Sequence, residues 1–338
     1  MHNFDEYLRQ GEPKKVEKAK VWKIAIGLQQ VDDLKPSEYL IETAKQNIEG
    51  NITIDQVKKR IDSYYQQHPT KTIDDRTEEA DKVSVRITNM LGEQTFTFSP
   101  AEYLSIHRRL FTGIYKFAGK IRDYNITKKE WVLNGETVLY ASAESLKETL
   151  EYDFEQERKF RYQGLTQEEI IEHIARFISN LWQIHIFGEG NTRATAIFLI
   201  KYLRKLGFKK VNNNLFANHA WYFRNALVRA NYEDLSKNIY RTEKFLICFL
   251  SNLILHKNYA LKNRVLHMLA DTVNDTVKLQ IDTVFSLIKE DNKITANEIS
   301  DRLKLSLSTV RRKIKELREN GKIQRIGSDK TGFWEITK

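Results

Sequence analysis

One cysteine, Cys248, stands among 338 residues, and it falls inside the apolar run FLICFL. That scarcity excludes a disulfide framework and makes a reducing cytoplasm the expected location. The eight histidines are scattered, with no Cys/His cluster of the spacing that structural zinc requires. The opening MHNFDEYLRQ is polar, with no apolar stretch behind a basic cap, so no signal peptide is expected. No uninterrupted apolar run is long enough to span a bilayer, and a membrane partner is not expected. Internal repeats and low-complexity tracts are lacking too. What remains is a chain long enough for two or three domains around a sizeable core. Its formal net charge of +10 asks for an acidic partner.

The most informative stretch is His185–Ala196, HIFGEGNTRATA. It packs a histidine, an acid, two glycines, an asparagine and an arginine between two helical segments. Upstream, Ile170, Ile171, Ile174, Phe177, Ile178 and Leu181 recur at helical spacing. Downstream, AIFLIKYLRKLGF is nearly continuously apolar until Lys201, as a buried helix requires. A glycine-rich loop opening a helix leaves backbone N–H groups unpaired, with the positive end of the helix dipole behind them. Such a place suits an anion, most often a phosphate. Arg193, in the first turn, can fork onto phosphate oxygens. Glu189 would repel bare phosphate, so it makes sense with a divalent cation between them, and Mg²⁺ fits that combination. His185 stands where it could take a proton from an attacking hydroxyl. The bland alternative is a helix–loop–helix whose glycines cap and whose histidine is structural.

The order HIFGEGNTR resembles the Fic (filamentation induced by cAMP) motif, HxFx(D/E)GNxRxxR, at every required position up to Arg193. The resemblance runs from about Ser99 to Phe249, through SPAEYLSIHRRLFTGIYKFAGKIRDYNI, an acid-rich helix, the motif helix pair and WYFRNALVRANY. It implies transfer of AMP from ATP to a hydroxyl side chain of a target protein, with Mg²⁺. Carried over by position, His185 becomes the general base, Phe187 a packing residue and Glu189 the Mg²⁺ ligand. Gly188, Glu189, Gly190, Asn191, Thr192 and Arg193 become the ATP and phosphate site.

Three positions depart from the pattern. Ile186 replaces the usual proline, which affects loop rigidity. Thr192 stands where many members carry glycine and the phosphorylating Doc branch carries lysine, so kinase-like chemistry stays open. Ala196 replaces the second arginine, which in the family contacts the γ-phosphate or pairs with a glutamate from an inhibitory helix, (S/T)xxxE(G/N). No good match to that inhibitory motif is found. Lys45 precedes Glu49-Gly50 at the Ser/Thr position, and TEEAD (Thr77–Asp81) ends in aspartate. The expectation is a chain without the usual glutamate clamp.

Within Thr127–Ser142, Trp131, Val132 and Leu133 and then Thr137, Val138, Leu139 and Tyr140 flank Asn134-Gly135, a strong two-residue turn signal. A β-hairpin is expected. In the Fic family a hairpin flap at this place aligns the target segment by strand addition, which assigns target docking to Trp131, Val132, Leu133, Val138, Leu139 and Tyr140. Trp221, Tyr222 and Asn225 fall where the family lines its adenine pocket.

From Leu279 the text changes. LQIDTVFSLIKED is an amphipathic helix, and ITANEISDRL follows with Thr295 as N-cap. LSLSTVRRKIKELRENG, capped by Ser306 or Ser308, ends at Gly321. KIQRIG and TGFWEIT alternate as strands around Ser328-Asp329-Lys330. This order resembles a winged helix-turn-helix. Ser308, Thr309, Arg311, Arg312, Lys313 and Lys315 lie beside a core stripe of Val310, Ile314 and Leu317, and Lys322, Arg325 and Lys330 charge the wing. DNA is the acidic partner this suggests, read through Ser308, Thr309, Arg311, Arg312, Lys315 and Arg325; docking or dimerisation, including a homodimer, is the competing use. VEKAKVWKIAIGLQQV, PSEYLIETAKQNI and TIDQVKKRIDSYYQQ read as three N-terminal helices, followed by a polar linker from His68 to Thr77.

The expectation is therefore a mainly α protein. N-terminal helices occupy 1–95, a helical Fic core with its β-hairpin flap 96–255, a linker helix 256–278, and a small α+β winged helix 279–338. Its expected activity is a protein adenylyltransferase. The alternatives are a DNA-binding transcriptional regulator whose Fic domain senses nucleotide, or a Doc-like protein kinase.

Overall fold

Helix starts in this chain follow local chemistry at Ser37, Thr53, Ser99, Thr166 and Ser306, which sit immediately ahead of helical runs and accept from the first free N–H groups. The computed structural model describes the chain except for residues 1–3, 11, 70–74, 209, 238, 269–283, 304, 328–331 and 338. It divides into two units, Met1–Leu266 and His267–Lys338. The architecture is mainly α, with one small antiparallel sheet among the described residues.

The first unit begins with α1 (Asp5–Gln10) and α2 (Pro13–Gly27), extended by a 3-10 turn over Leu28–Asp32. Helices α3 (Glu38–Glu49), α4 (Ile54–Gln67) and α5 (Thr77–Gly92) follow. Ser37 caps α3, and Thr53 caps α4 in a reciprocal capping box with Gln56. The apolar faces of α2, α3 and α4 meet around Trp22, Ile26, Leu40, Ile48, Val57 and Ile61. Trp22 is wholly buried, and its indole N–H donates to Asn47 at 3.0 Å. Part of the polar linker expected at 68–77 lies outside the described residues. Helix α5 was not expected, and it is the element of this region that reaches the HIFGEGNTR loop.

The rest of the unit is built from α6 (Pro100–Phe111), α7 (Leu146–Lys159), α8 (Gln167–Ile184) and α9 (Asn191–Lys205). After them come α10 (Asn214–Asn218), α11 (Ala220–Ala230), α12 (Lys244–Leu255) and α13 (Asn263–Leu266). Helix α9 is buried on every side from Asn191 to Leu203, as the apolar run 196–200 implies for its middle, with Asn191, Thr192, Arg193, Thr195 and Lys201 buried beside it. Residues 256–262 of the expected linker helix are not helical, and much of the remainder lies outside the described residues.

The expected β-hairpin at 127–142 does not form. Trp131–Leu133 is a 3-10 turn, and no residue of the segment is in a strand. Asn134 and Gly135 do adopt left-handed conformations, at φ 54° and 89°, as their turn chemistry demands. The chain closes on itself there, with Glu130 N–H donating to the Glu136 carbonyl at 2.9 Å. The strand pattern fails because Val132 and Leu133 are consecutive and both completely buried. A strand would have sent them to opposite faces.

In the second unit, residues 284–290 are helical (α14), followed by α15 (Ala296–Leu303) and α16 (Leu307–Glu319). Thr295 and Glu298 form a reciprocal box at the start of α15. Ser306, rather than Ser308, caps α16 through the Thr309 N–H. Strands β1 (Ile323–Ile326) and β2 (Phe333–Ile336) pair antiparallel with Arg325 opposite Trp334. The turn expected at Ser328-Asp329-Lys330 lies outside the described residues. Val284, Ile288, Ile299, Val310, Ile314, Leu317 and Trp334 make the core.

Candidate functional site

Helix α8 presents a wide apolar stripe and ends where its last residues meet the glycine-containing loop. His185 terminates it in the left-handed conformation, φ 49° and ψ 51°, with its N–H donating to the Trp182 carbonyl. A left-handed non-glycine residue is uncommon and is held only where its surroundings over-determine it. Here Arg122 supplies that constraint. Its Nε donates to the His185 carbonyl at 2.7 Å, and its other nitrogens donate to the carbonyls of Ile184, Tyr124 and Ala141. The guanidinium thus ties the end of α8 to both sides of the 124–141 segment.

The His185 ring is buried, and neither Nδ1 nor Nε2 has a hydrogen-bond partner. Tyr140 lies over it with ring centroids 4.2 Å apart, and Trp182 meets it edge-on at 5.2 Å. Burial, and next the nearby charge of Lys128, hold the imidazole well below its usual pKa, so it is a neutral base at pH 7.

The loop beyond is fixed by side chains that turn inward. Asn191 accepts from the Phe187 N–H at 3.1 Å and donates to the Phe187 carbonyl at 2.8 Å, closing the loop like a clasp. Thr192 accepts from the Trp182 indole at 2.9 Å. Gly190, at φ 78°, starts α9, and a Cβ there would lie 2.5 Å from the Phe111 ring. The loop places the N–H groups of Asn191, Thr192 and Arg193 in the first turn of α9, where no intrahelical acceptor exists.

Glu189 points the other way, with its side chain 35% exposed. One oxygen accepts from the Gly190 N–H at 3.0 Å, and the other pairs with Lys128 Nζ at 3.2 Å. Burial would raise this carboxyl, but the Lys128 charge and these hydrogen bonds outweigh it and hold the pKa down.

Arg193 differs from its expected placement. Its side chain is completely buried, beneath the Phe111 ring at 4.7 Å. One terminal nitrogen lies 2.8 Å from Asp32 and 2.7 Å from Glu79, and the other donates to Gln29 at 3.1 Å. Glu79 comes from α5 and is also bound by Arg76 and by the Tyr115 hydroxyl. Burial opposes its charge, but Arg76 and Arg193 together keep the carboxyl ionised. The TEEAD segment therefore does deliver an acid to the motif, to its first arginine. Asp81 is instead bonded to Ser37 and Tyr65, and Glu49 to Lys15. Ala196 is fully buried in α9.

The flap residues sort by exposure. Trp131 is 47% exposed and Leu139 80%, whereas Val132, Leu133, Val138 and Tyr140 are buried. Only Trp131 and Leu139 of these six present an exposed side chain there. Trp131 faces Trp221 at 5.9 Å, and Trp221 lines a surface pocket with Gln30, Asp33 and Lys35. Tyr222 instead packs into the core beside Phe249. Asn225 is buried and donates to Asn263, while its carbonyl oxygen has no partner.

His107 on α6 was missed. Its Nδ1 accepts from the Gly119 N–H at 2.8 Å, so Nε2 carries the proton and donates to the Glu189 carbonyl at 2.8 Å. The ring stacks on Phe187 at 3.7 Å. Its signal in the sequence was its place between Ile106 and Leu110 on the apolar face of α6, where a histidine needs partners. The contacts that bring Arg122, Lys128 and Glu79 to the site carried no local signal, because His185, Glu189 and Arg193 lie far away from them along the chain.

In the second unit Ser308, Arg311, Arg312 and Lys315 are exposed on α16, and Thr309 is half-buried against Ser306. Lys313 is buried, so it leaves the expected basic face. Arg325 stacks on the Trp334 ring at 4.7 Å, on the strand pair itself.

A helical unit with a histidine-and-glycine loop opening a buried helix, joined in sequence to three short helices and a two-stranded wing, defines the class. Residues 97–203 match the model of the Fic/DOC family, and residues 284–324 match a winged helix-turn-helix DNA-binding model. The chain carries a Fic/DOC domain and a C-terminal winged helix-turn-helix domain. It is 29% identical over 103 residues to the protein adenylyltransferase VbhT of Bartonella schoenbuchensis, a stretch covering 30% of this chain and 20% of that protein. A crystal structure of a Fic family protein from Desulfovibrio desulfuricans G20 aligns over 99% of this chain and 94% of the other, at 13% identity and a TM-score of 0.42.

Proposed function

We propose that this protein transfers AMP from ATP to a hydroxyl side chain of a target protein. The observation that carries the reading is His185. A buried imidazole with both nitrogens unpartnered is costly and calls for a reason. Neighbouring Asn191, Thr192 and Glu189 all have partners. A base waiting for a substrate proton supplies that reason.

In the proposed step His185 takes the proton of the target hydroxyl. The oxygen forms a bond to the α-phosphorus of ATP, and the bond from that phosphorus to the bridging oxygen breaks. Pyrophosphate leaves with the electron pair. The first-turn N–H groups of α9 would meet the phosphates, and Gly188 and Gly190 hold the loop against Tyr124 and Phe111, where a Cβ would lie 2.6 and 2.5 Å from those side chains. Among the described residues no group of three or more His, Cys, Asp or Glu could hold a metal ion. A single partly exposed carboxylate nevertheless fits Mg²⁺, which takes most of its ligands from water and substrate phosphates. Glu189 would hold the ion, which neutralises developing phosphate charge. Tyr140 covers His185, so target entry requires the 137–142 segment to shift. Arg193 serves the site by locking the loop onto α5 and the Leu28–Asp32 turn. The exposed face of α16 supports DNA as the partner of the second unit.

Incubation with ATP and Mg²⁺ tests the reading. Label from the α-phosphate should appear on protein and vanish in His185→Ala. Label from the γ-phosphate alone would establish phosphorylation instead. Labelling that survives His185→Ala would remove the histidine from the mechanism.

A further inference from the structure

A nucleoside triphosphate brings several negative charges into whichever site binds it, and the site must meet them with cations or N–H groups. Position 196 offers none, being alanine. Arg193 is fully buried, and two carboxylates already balance its charge, Asp32 at 2.8 Å and Glu79 at 2.7 Å. Arg122 is spent on four backbone carbonyls behind His185. Arg224 lies 2.7 Å from Glu130. Lys128 is placed differently. Its Nζ sits at the loop mouth, 3.2 Å from Glu189 Oε2, on a side chain 26% exposed to solvent.

We propose that Lys128 is the phosphate-binding cation of this site, an inference that rests on the reading that ATP binds here. Without nucleotide, Lys128 is the counter-ion of Glu189. When a triphosphate enters with its own divalent cation, the metal takes Glu189 and Lys128 turns to the terminal phosphate oxygens. A divalent cation and the Lys128 ammonium repel each other across one carboxylate, so exchange is the arrangement that leaves every charge matched. A partly exposed lysine–glutamate pair is weak enough to exchange. The flexible four-carbon stem and rotatable ammonium of lysine suit it to such a move, where a guanidinium fork would be fixed. No other residue need change its partners: Arg193 stays bound to Asp32 and Glu79.

Calorimetric titration of the full chain with ATP and with AMP, in Mg²⁺, tests this on wild type, Lys128→Met and Lys128→Arg. The expected result is ATP binding at least about tenfold weaker in Lys128→Met, with AMP affinity nearly unchanged and ATP affinity largely kept in Lys128→Arg. Mn²⁺ alone should bind Lys128→Met more tightly than wild type, because the lysine no longer competes for Glu189. Wild-type ATP affinity in Lys128→Met would overturn the assignment while leaving the transfer reading intact. Equal Mn²⁺ affinity in Lys128→Met and wild type would overturn the exchange. Failure of wild type to bind ATP at all would overturn both the assignment and that reading.

Discussion

His107 does for the loop what no motif residue does. It holds the Glu189 carbonyl from one ring nitrogen and the Gly119 N–H from the other, and so sets the angle at which the loop leaves α8. That role requires the neutral ring, and burial lowers its pKa from 6.5 to about 4. The sign follows directly. The unfolded chain takes up a proton near the ordinary histidine value, while the folded chain resists until about pH 4. Stability is therefore complete above about pH 6.5 and is lost as pH falls through that window, by about 3 kcal/mol. His185 is shifted in the same direction, so the measurement belongs in a His185→Ala background. Urea unfolding there should show the loss between pH 7 and pH 4.5, and His107→Gln should flatten it. An unchanged slope in His107→Gln would assign the effect to another group.

Among the elements, the N-terminal helices are the ones whose relation to the site the sequence concealed. They supply Asp32 and Glu79 to Arg193, so the loop is anchored by residues more than a hundred positions upstream. Their docking is close: a Cβ on Gly27 of α2 would lie 2.4 Å from the Ala217 Cα and 2.6 Å from its carbonyl oxygen on α10. Backbone cannot yield as a side-chain tip would. Gly27→Ala should cost about 1–3 kcal/mol of stability in the full chain, read from its denaturation midpoint. A variant as stable as wild type would show that α2 can ride away from α10 without loss. The flap segment makes the converse point. Its Asn134-Gly135 turn was legible, but its strands were not there, because tertiary burial claimed both Val132 and Leu133.

At the scale of the molecule, two units with separate cores carry the two halves of the reading. If α16 meets DNA phosphates, affinity should fall steeply with salt. Replacing Arg311→Ala together with Arg312→Ala should then reduce the logarithmic salt slope by about one for each phosphate no longer neutralised. Both side chains are exposed, so unit stability should be unaffected. Electrophoretic or fluorescence titration over a salt series reads this, with α-phosphate labelling as a control for the first unit. Absence of any binding at low salt would leave the wing and α16 as a protein-docking module. No helix among the described residues is long and apolar enough to cross a membrane.

By itself the sequence determined most of the helices, the caps at Thr295 and Ser306, the loop with His185, Glu189 and Gly190, and the winged end. Periodicity, capping and left-handed turns are governed by residues within one or two helical turns of each other, so they can be read along the chain. Only the tertiary structure decided what those residues touch. It turned Arg193 inward to Asp32 and Glu79, set Lys128 on Glu189, stacked His107 on Phe187 and left both His185 nitrogens bare. Ion pairs and buried hydrogen bonds couple groups that are close in space and distant in sequence. Their charge balance exists only once the helices are packed.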